Sequence, residues 1–195
     1  MLLTKKFIAN AVSGVISPHG MTDYIHAKKF GFLNELYRIH LSMAVGGFVL
    51  NHCQLHIIIQ STFLIASIVH FRNDMPLIEI KNTNSKWLQL LFSTVFVGSL
   101  HFVPIEYFVL YMLFIHTPNH YRLAWNYIKD NLEETACLVI GVGAMLSQFN
   151  NIDNIPLNLI AFIQTLVISH IVYQEKYVFP EYKNLVEKMK RDKLK

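Results

Sequence analysis

The chain has 195 residues, of which 53% are hydrophobic and 15% charged, with a formal net charge of +4. Soluble domains carry about 25% charged residues, so this balance, with a mean hydropathy of +0.34, leans toward lipid and excludes a disordered or strongly solvated chain. The two cysteines, Cys53 and Cys137, both lie in apolar stretches, which excludes a disulfide framework and a cysteine zinc site.

The apolar stretches, separated by turn signals, predict an all-α, polytopic membrane helical bundle of about six or seven short transmembrane helices over residues 1–175. Residues 7–18 come first and end at Pro18. They look like a signal peptide, but the apolar part is short, contains Asn10 and Ser13, and runs straight into polar residues, so it is read as a retained first helix. Residues 30–50 are mixed and then apolar, and 55–71 are almost wholly apolar up to His70 and Phe71. A polar hairpin follows over 72–86. Residues 87–103 run to Pro104, 105–117 to Pro118, then come 136–149, a loop at 150–156, and a last stretch at 157–174. A span takes about 20 residues, and several of these are shorter, which fits a thin bundle whose helices lean on one another. Nothing divides the chain into two domains. Residues 176–195 form a basic tail: seven of the 17 Lys and Arg residues follow His170. Beside a hydrophobic helix this reads as a cytoplasmic flank attracted to anionic headgroups, and places the C-terminus in the cytoplasm. Aromatic interleaving and arginine are scarce there, so no nucleic-acid partner is expected.

The ten histidines carry the chemistry. A polar group buried in hydrocarbon costs several kcal/mol unless paired, and ionisable residues in spans usually face the bundle interior and mark function. His19 lies in Ser17-Pro-His-Gly-Met-Thr-Asp23. If that segment is helical, Asp23 shares its face and can accept the second ring N–H, as behind a metal-bound imidazole. His26 is the next candidate on that face. A polar loop capping a helix is the competing reading. His70, in Ser67-Ile-Val-His-Phe-Arg-Asn-Asp74, repeats the His-x-x-x-Asp spacing with Asp74; alone it reads as an interfacial histidine. Phe114-Ile-His-Thr-Pro-Asn-His-Tyr121 puts His116 and His120 at i and i+4, one helix face and one cation apart. Pro118 between them removes a backbone hydrogen bond and predicts a kink. His52 and His56 share that spacing, so one pair can be structural; the kink and the preceding apolar residues favour 116/120. His170 sits deep in the last stretch, where a bond to a neighbouring helix is the plain reading. Neutral imidazoles without cysteine suit Fe(II), Zn(II) or Cu. The 14 Phe and 9 Tyr suit an apolar substrate entering from the bilayer, although most serve the core and the lipid face.

Together, Pro18-His19-Gly20-x-x-Asp23, His70-Phe71 with Asp74, His116-x-Pro118-x-His120 and a late Ser169-His170 resemble, in order, the Brp/Blh family of membrane β-carotene dioxygenases. The resemblance implies a helical membrane protein in which Fe(II) is held by catalytic histidines matching His19, His70, His116 and His120. It implies O2-dependent cleavage of the central double bond of β-carotene to two retinal molecules, with the polyene and O2 as partners. Asp23 and Asp74 are then residues behind the ligands or at the mouth of the site. The chain departs from the family in being shorter, with spans missing between His70 and His116. Arg72-Asn73 stands where a small residue is usual, and Asn119 where Arg is usual.

Two other classes compete. A haem-binding electron-transfer bundle would use His40, His52, His56, His101 or His170. A non-enzymatic membrane interaction protein would leave the histidines satisfying one another. The paired HxxHH boxes of fatty-acid desaturases are absent.

Overall fold

A computed structural model of the chain describes residues 11, 16–74, 86–99, 102, 104–147 and 157–180. Among the described residues the protein is all-helical, without a strand. A 3-10 turn, Ser17–Met21, leads into α1 (Thr22–Phe30). Next come α2 (Leu33–His52), α3 (His56–Phe71) and α4 (Lys86–Ser99). Then α5 (Ile105–Tyr111) passes through a π turn, Met112–His116, into α6 (Thr117–Ile128). Helices α7 (Leu132–Ser147) and α8 (Leu157–Tyr173) follow, and α8 continues into a second π turn, Gln174–Val178.

Several boundaries differ from the sequence expectation. Pro118 does not end its helix. It sits in the first turn of α6, and the irregularity lies just ahead, in the π turn, where the regular i to i−4 bonding that a proline cannot join is already interrupted. Beyond it the whole of Thr117–Ile128 is helical. Its inner face carries Asn119, His120, Ala124, Tyr127 and Ile128, whereas Pro118, Arg122 and Trp125 are exposed. That face is too polar for an apolar-run reading to find. The boundary expected at residue 175 falls inside a helical path that continues to residue 180. The first stretch at 7–15 apart from Ala11, the hairpin residues 75–85, His101, the loop at 150–156 and the tail at 181–195 lie outside the described residues.

Among the described residues no helix is long and apolar enough to cross a membrane. The reasons are local. Helix α2 has 20 residues but carries Glu35 and Arg38 near its start, and α3 is apolar but has 16. The π turns interrupt two longer helical paths, 105–128 and 157–180.

Helix α8 packs along α2 and α3, α4 lies on α3, and α1 packs on α2 and α6. The turn Ser17–Met21 is held against α6 and α7. One apolar cluster gathers Phe71, Val97, Val109, Tyr111 and Met112; a second gathers Ile25, Leu36, Ala124, Tyr127, Ile128 and Tyr173. At the corner where α6 turns into α7, Lys28 pairs with Glu134 at 2.8 Å and Lys29 with Asp130 at 2.7 Å. These pairs are solvent-facing and contribute little.

The distribution of polarity is inverted. Leu41, Phe48, Ile57, Ile65, Trp87, Val95, Phe114 and Ile140 are each more than 60% exposed, while Thr22, Asp23, His26, Asp74, Thr117 and Gln174 are buried.

Candidate metal centre

Five of the buried polar side chains are histidines that converge from five parts of the chain. His19 comes from the 3-10 turn, which Thr22 closes by donating its hydroxyl to the His19 carbonyl at 2.8 Å. His70 and His170 sit in the last turns of α3 and α8, His116 ends the first π turn, and His120 lies in the first turn of α6. The His19 ring is the hub. Its centroid lies 4.8 Å from that of His120, 5.0 Å from His170 and 5.2 Å from His116. His70 stands 5.0 Å from His116 and 5.7 Å from His170, and His120 stands 6.0 Å from His170. The four histidines expected to act together are thus side by side, and His170, expected to bond a neighbouring helix, is among them and does bond Asp23 of α1.

The carboxylates are where the sequence expectation needs correction. Asp23 does not face His19; its Oδ2 accepts from His170 Nδ1 at 2.6 Å, and its Oδ1 accepts from Gln174 Nε2 at 3.0 Å. Asp74 does not face His70. It accepts from His116 Nδ1 at 2.7 Å, from the Tyr111 hydroxyl at 2.6 Å and from Asn119 Nδ2 at 2.7 Å. The cause is backbone geometry. Both His-x-x-x-Asp pairs straddle a junction between α and 3-10 helix, at Met21–Thr22 and Phe71–Arg72. The change from 3.6 to 3.0 residues per turn takes i and i+4 off one face.

The imidazole nitrogens divide into two groups. His19 Nδ1 faces the Ile16 carbonyl, and the Nδ1 atoms of His116 and His170 face carboxylates. His120 is engaged at both nitrogens, by Gln174 Nε2 at 3.1 Å and by Thr22 Oγ1 at 2.5 Å. His19 Nε2, His170 Nε2 and both nitrogens of His70 are buried and have no hydrogen-bond partner. Each such group costs about 1–3 kcal/mol, so four of them side by side require a reason.

Unpartnered imidazole nitrogens are the donor chemistry of a metal site. With metal–nitrogen bonds of about 2.1 Å, ring centroids stand about 3.2 Å from a shared ion, and adjacent rings are separated by roughly 4.5–5.3 Å. The contacts of His19, and that of His70 with His116, fall within this range at 4.8–5.2 Å; the His170 contacts with His70 and His120 are looser. Among the described residues no group of three His, Cys, Asp or Glu side chains has its donor atoms already gathered for an ion. The rings instead pack mostly edge to face. A cavity of about 10 Å³, room for about one water, opens beside His70, Asp74, His116, His120, Gln174 and Phe179. Glu175 accepts from Arg72 at 2.9 Å and from Asn73 at 2.6 Å, which ties the end of α3 to the second π turn.

The other histidines lie elsewhere. His26 points away from the cluster and bonds the Tyr173 hydroxyl at 2.9 Å. His52 ends α2 and His56 starts α3, with Gln54 at φ 58 between them. The second HxxxH pair therefore spans a turn instead of one helix face. His52 is exposed and stacks on Phe48, and His40 bonds the Leu36 carbonyl of its own helix. The sequence reading gave no role to Thr22, Tyr111 or Gln174 and singled out Asn119 only as a departure from the family pattern; Gln174 left a trace as a polar residue one turn beyond His170 at the end of the last apolar stretch.

The chain matches no protein-family model, no curated protein and no solved structure. The family resemblance stands on the motifs around these histidines.

Proposed function

We propose that the protein is a multi-pass membrane dioxygenase that uses Fe(II) and O2 to cleave the central double bond of β-carotene, or of a related polyene, to retinal. The observation that carries the reading is the buried five-histidine cluster, braced by Asp74 and Asp23, in a bundle whose outside is apolar.

The lipid part of the reading rests on the inverted surface. Exposed apolar side chains on this scale are rare on soluble monomers and mark membrane or partner contact. The helical paths 105–128 and 157–180, each passing through a π turn, reach about 36 Å at about 1.5 Å per residue, which matches the hydrocarbon core in length. Shorter helices are accommodated by a locally thinned bilayer. The basic tail supports a cytoplasmic C-terminus.

His19, His70, His116 and His120 would hold the metal. Fe(II) in an all-imidazole site supplies the O2 chemistry that puts one oxygen atom on each carbon of the severed double bond, leaving two aldehydes. The chain's own residues do the rest. Asp74 holds the Nδ1 proton of His116 and so keeps the Nε2 lone pair free. Thr22 and Gln174 hold His120, and its Nε2 reaches a metal only by leaving the Thr22 hydroxyl. Phe71 and Phe179 stand 5.1 Å from His116 and 6.0 Å from His70, apolar walls that exclude water and suit a polyene.

Coexpression with a β-carotene supply tests the reading. Loss of orange colour and appearance of retinal are expected from the parent, and neither from a His116→Ala, His120→Ala double variant. Intact carotene with a folded, iron-loaded protein points to another substrate. Intact carotene with no bound metal overturns the enzyme reading.

A further inference from the structure

His170 is held at its Nδ1 in the same way as His116. Its Nδ1 is held at 2.6 Å by a buried carboxylate, as the Nδ1 of His116 is at 2.7 Å, and its Nε2 is buried without a partner. Its ring stands 5.0 Å from the hub ring of His19, inside the 4.8–5.2 Å spread of that ring's contacts with His120 and His116. Asp23 is 2% exposed and its other oxygen is bonded to Gln174, so the His170 ring is braced from behind and cannot turn away freely. His170 also packs against the Gly20 backbone: a Cβ there would stand 3.4 Å from His170 Nδ1, in ordinary van der Waals contact.

A histidine kept only for packing has no need of a buried carboxylate on one nitrogen and an empty flank on the other. Asp23 accepting at Nδ1 selects the tautomer whose lone pair is on Nε2, the nitrogen on the unpartnered side. His120 is the opposite case, with both nitrogens occupied. We infer that His170 is a fifth imidazole ligand of the metal centre, oriented by Asp23 as His116 is by Asp74; this rests on the reading of the cluster as a metal site.

The test uses the full chain in detergent, stripped of metal and titrated with Co(II), whose visible d–d absorption reports the donor set. The parent is expected to bind one Co(II) per chain. In His170→Ala the apparent affinity should fall at least tenfold and the absorption should change shape. Asp23→Asn should weaken binding by about 10–100-fold while keeping the parent's spectrum, because the donors stay and only their orientation suffers. His52→Ala, on the exposed end of α2, should match the parent. A His170→Ala protein that binds Co(II) with the parent's affinity and spectrum overturns the assignment of His170 and leaves the metal centre standing. A parent that takes up no Co(II) overturns the metal reading itself. If His170→Ala does not fold, X-ray absorption on the Co(II)-loaded parent decides: five imidazoles support the inference and four or fewer refute it.

Discussion

Asp74 and His116 lie 42 positions apart in the chain and meet at 2.7 Å, while His70, one helical turn before Asp74, has neither ring nitrogen bonded. The carboxylate thus works across the bundle, joining the 3-10 turn after α3 to the π turn before α6. Its two oxygens take three donors, from His116, Tyr111 and Asn119, and every one of these is buried.

Replacing Asp74 with Asn removes the charge and keeps the shape. Metal affinity is expected to fall about 10–100-fold, read by competition with a chelator. The folded state should weaken by about 1–3 kcal/mol, because buried donors lose a charged acceptor, and this should appear as a lower unfolding temperature. Asp74→Asn protein that holds iron as the parent does would remove Asp74 from the orienting role.

Gly47 sets the approach of α2 to α8. A Cβ built there lies 2.3 Å from Thr165 Oγ1 and 2.6 Å from Thr165 Cγ2, so Gly47→Ala forces the helices apart. The expected cost is about 1–3 kcal/mol, with metal binding impaired because α8 carries His170. Thr165→Ala should rescue it only in part, since the Thr165 Cβ itself stands at 2.9 Å. Gly46→Ala, with nothing within 4 Å of the added carbon, should be neutral or stabilising by up to about 1 kcal/mol. Thermal unfolding of the three variants checks the series.

Ile65, 62% exposed on α3, distinguishes lipid from water around the bundle. If it faces lipid, Ile65→Arg costs about 2.5–3.5 kcal/mol of insertion and should deplete the protein in carbonate-washed membranes. In water an exposed substitution of this kind stays within about 0.5 kcal/mol. Undiminished recovery would contradict the lipid-facing assignment.

Thr22→Val removes the hydroxyl that engages His120 Nε2 at 2.5 Å and the His19 carbonyl at 2.8 Å. Freed of that competitor, His120 should bind metal more tightly, while the metal-free protein should lose about 1 kcal/mol. Parallel Co(II) titration and thermal melts test both; unchanged affinity would mean that His120 Nε2 is not a ligand atom.

Much of the fold was legible because apolar runs mark helices that bury or face lipid. Residues 55–71, read from hydropathy alone, correspond to His56–Phe71, and 157–174 to Leu157–Tyr173 with the start of the π turn. Beyond the helical spacing of His116 and His120, the helix Thr117–Ile128 was missed because its inner face carries His120 and Asn119, which spoil the apolar signal. The histidines were legible as polar residues at the ends of apolar runs. Their partners were not: Asp23 and Asp74 were assigned by spacing to the histidines nearest in sequence, and a change of helix type at both junctions broke that spacing.

The sequence by itself determined that the described chain is helical and which imidazoles stand out against apolar surroundings, because helices satisfy their own backbone and a polar residue in an apolar run is visible one residue at a time. Tertiary structure alone decided that Asp23 serves His170, that Asp74 serves His116, and that Gln174 joins Asp23 to His120. Those pairings depend on where α8 crosses α2 and α3 and on two π turns that rotate the chain, and neither quantity is a property of any single segment.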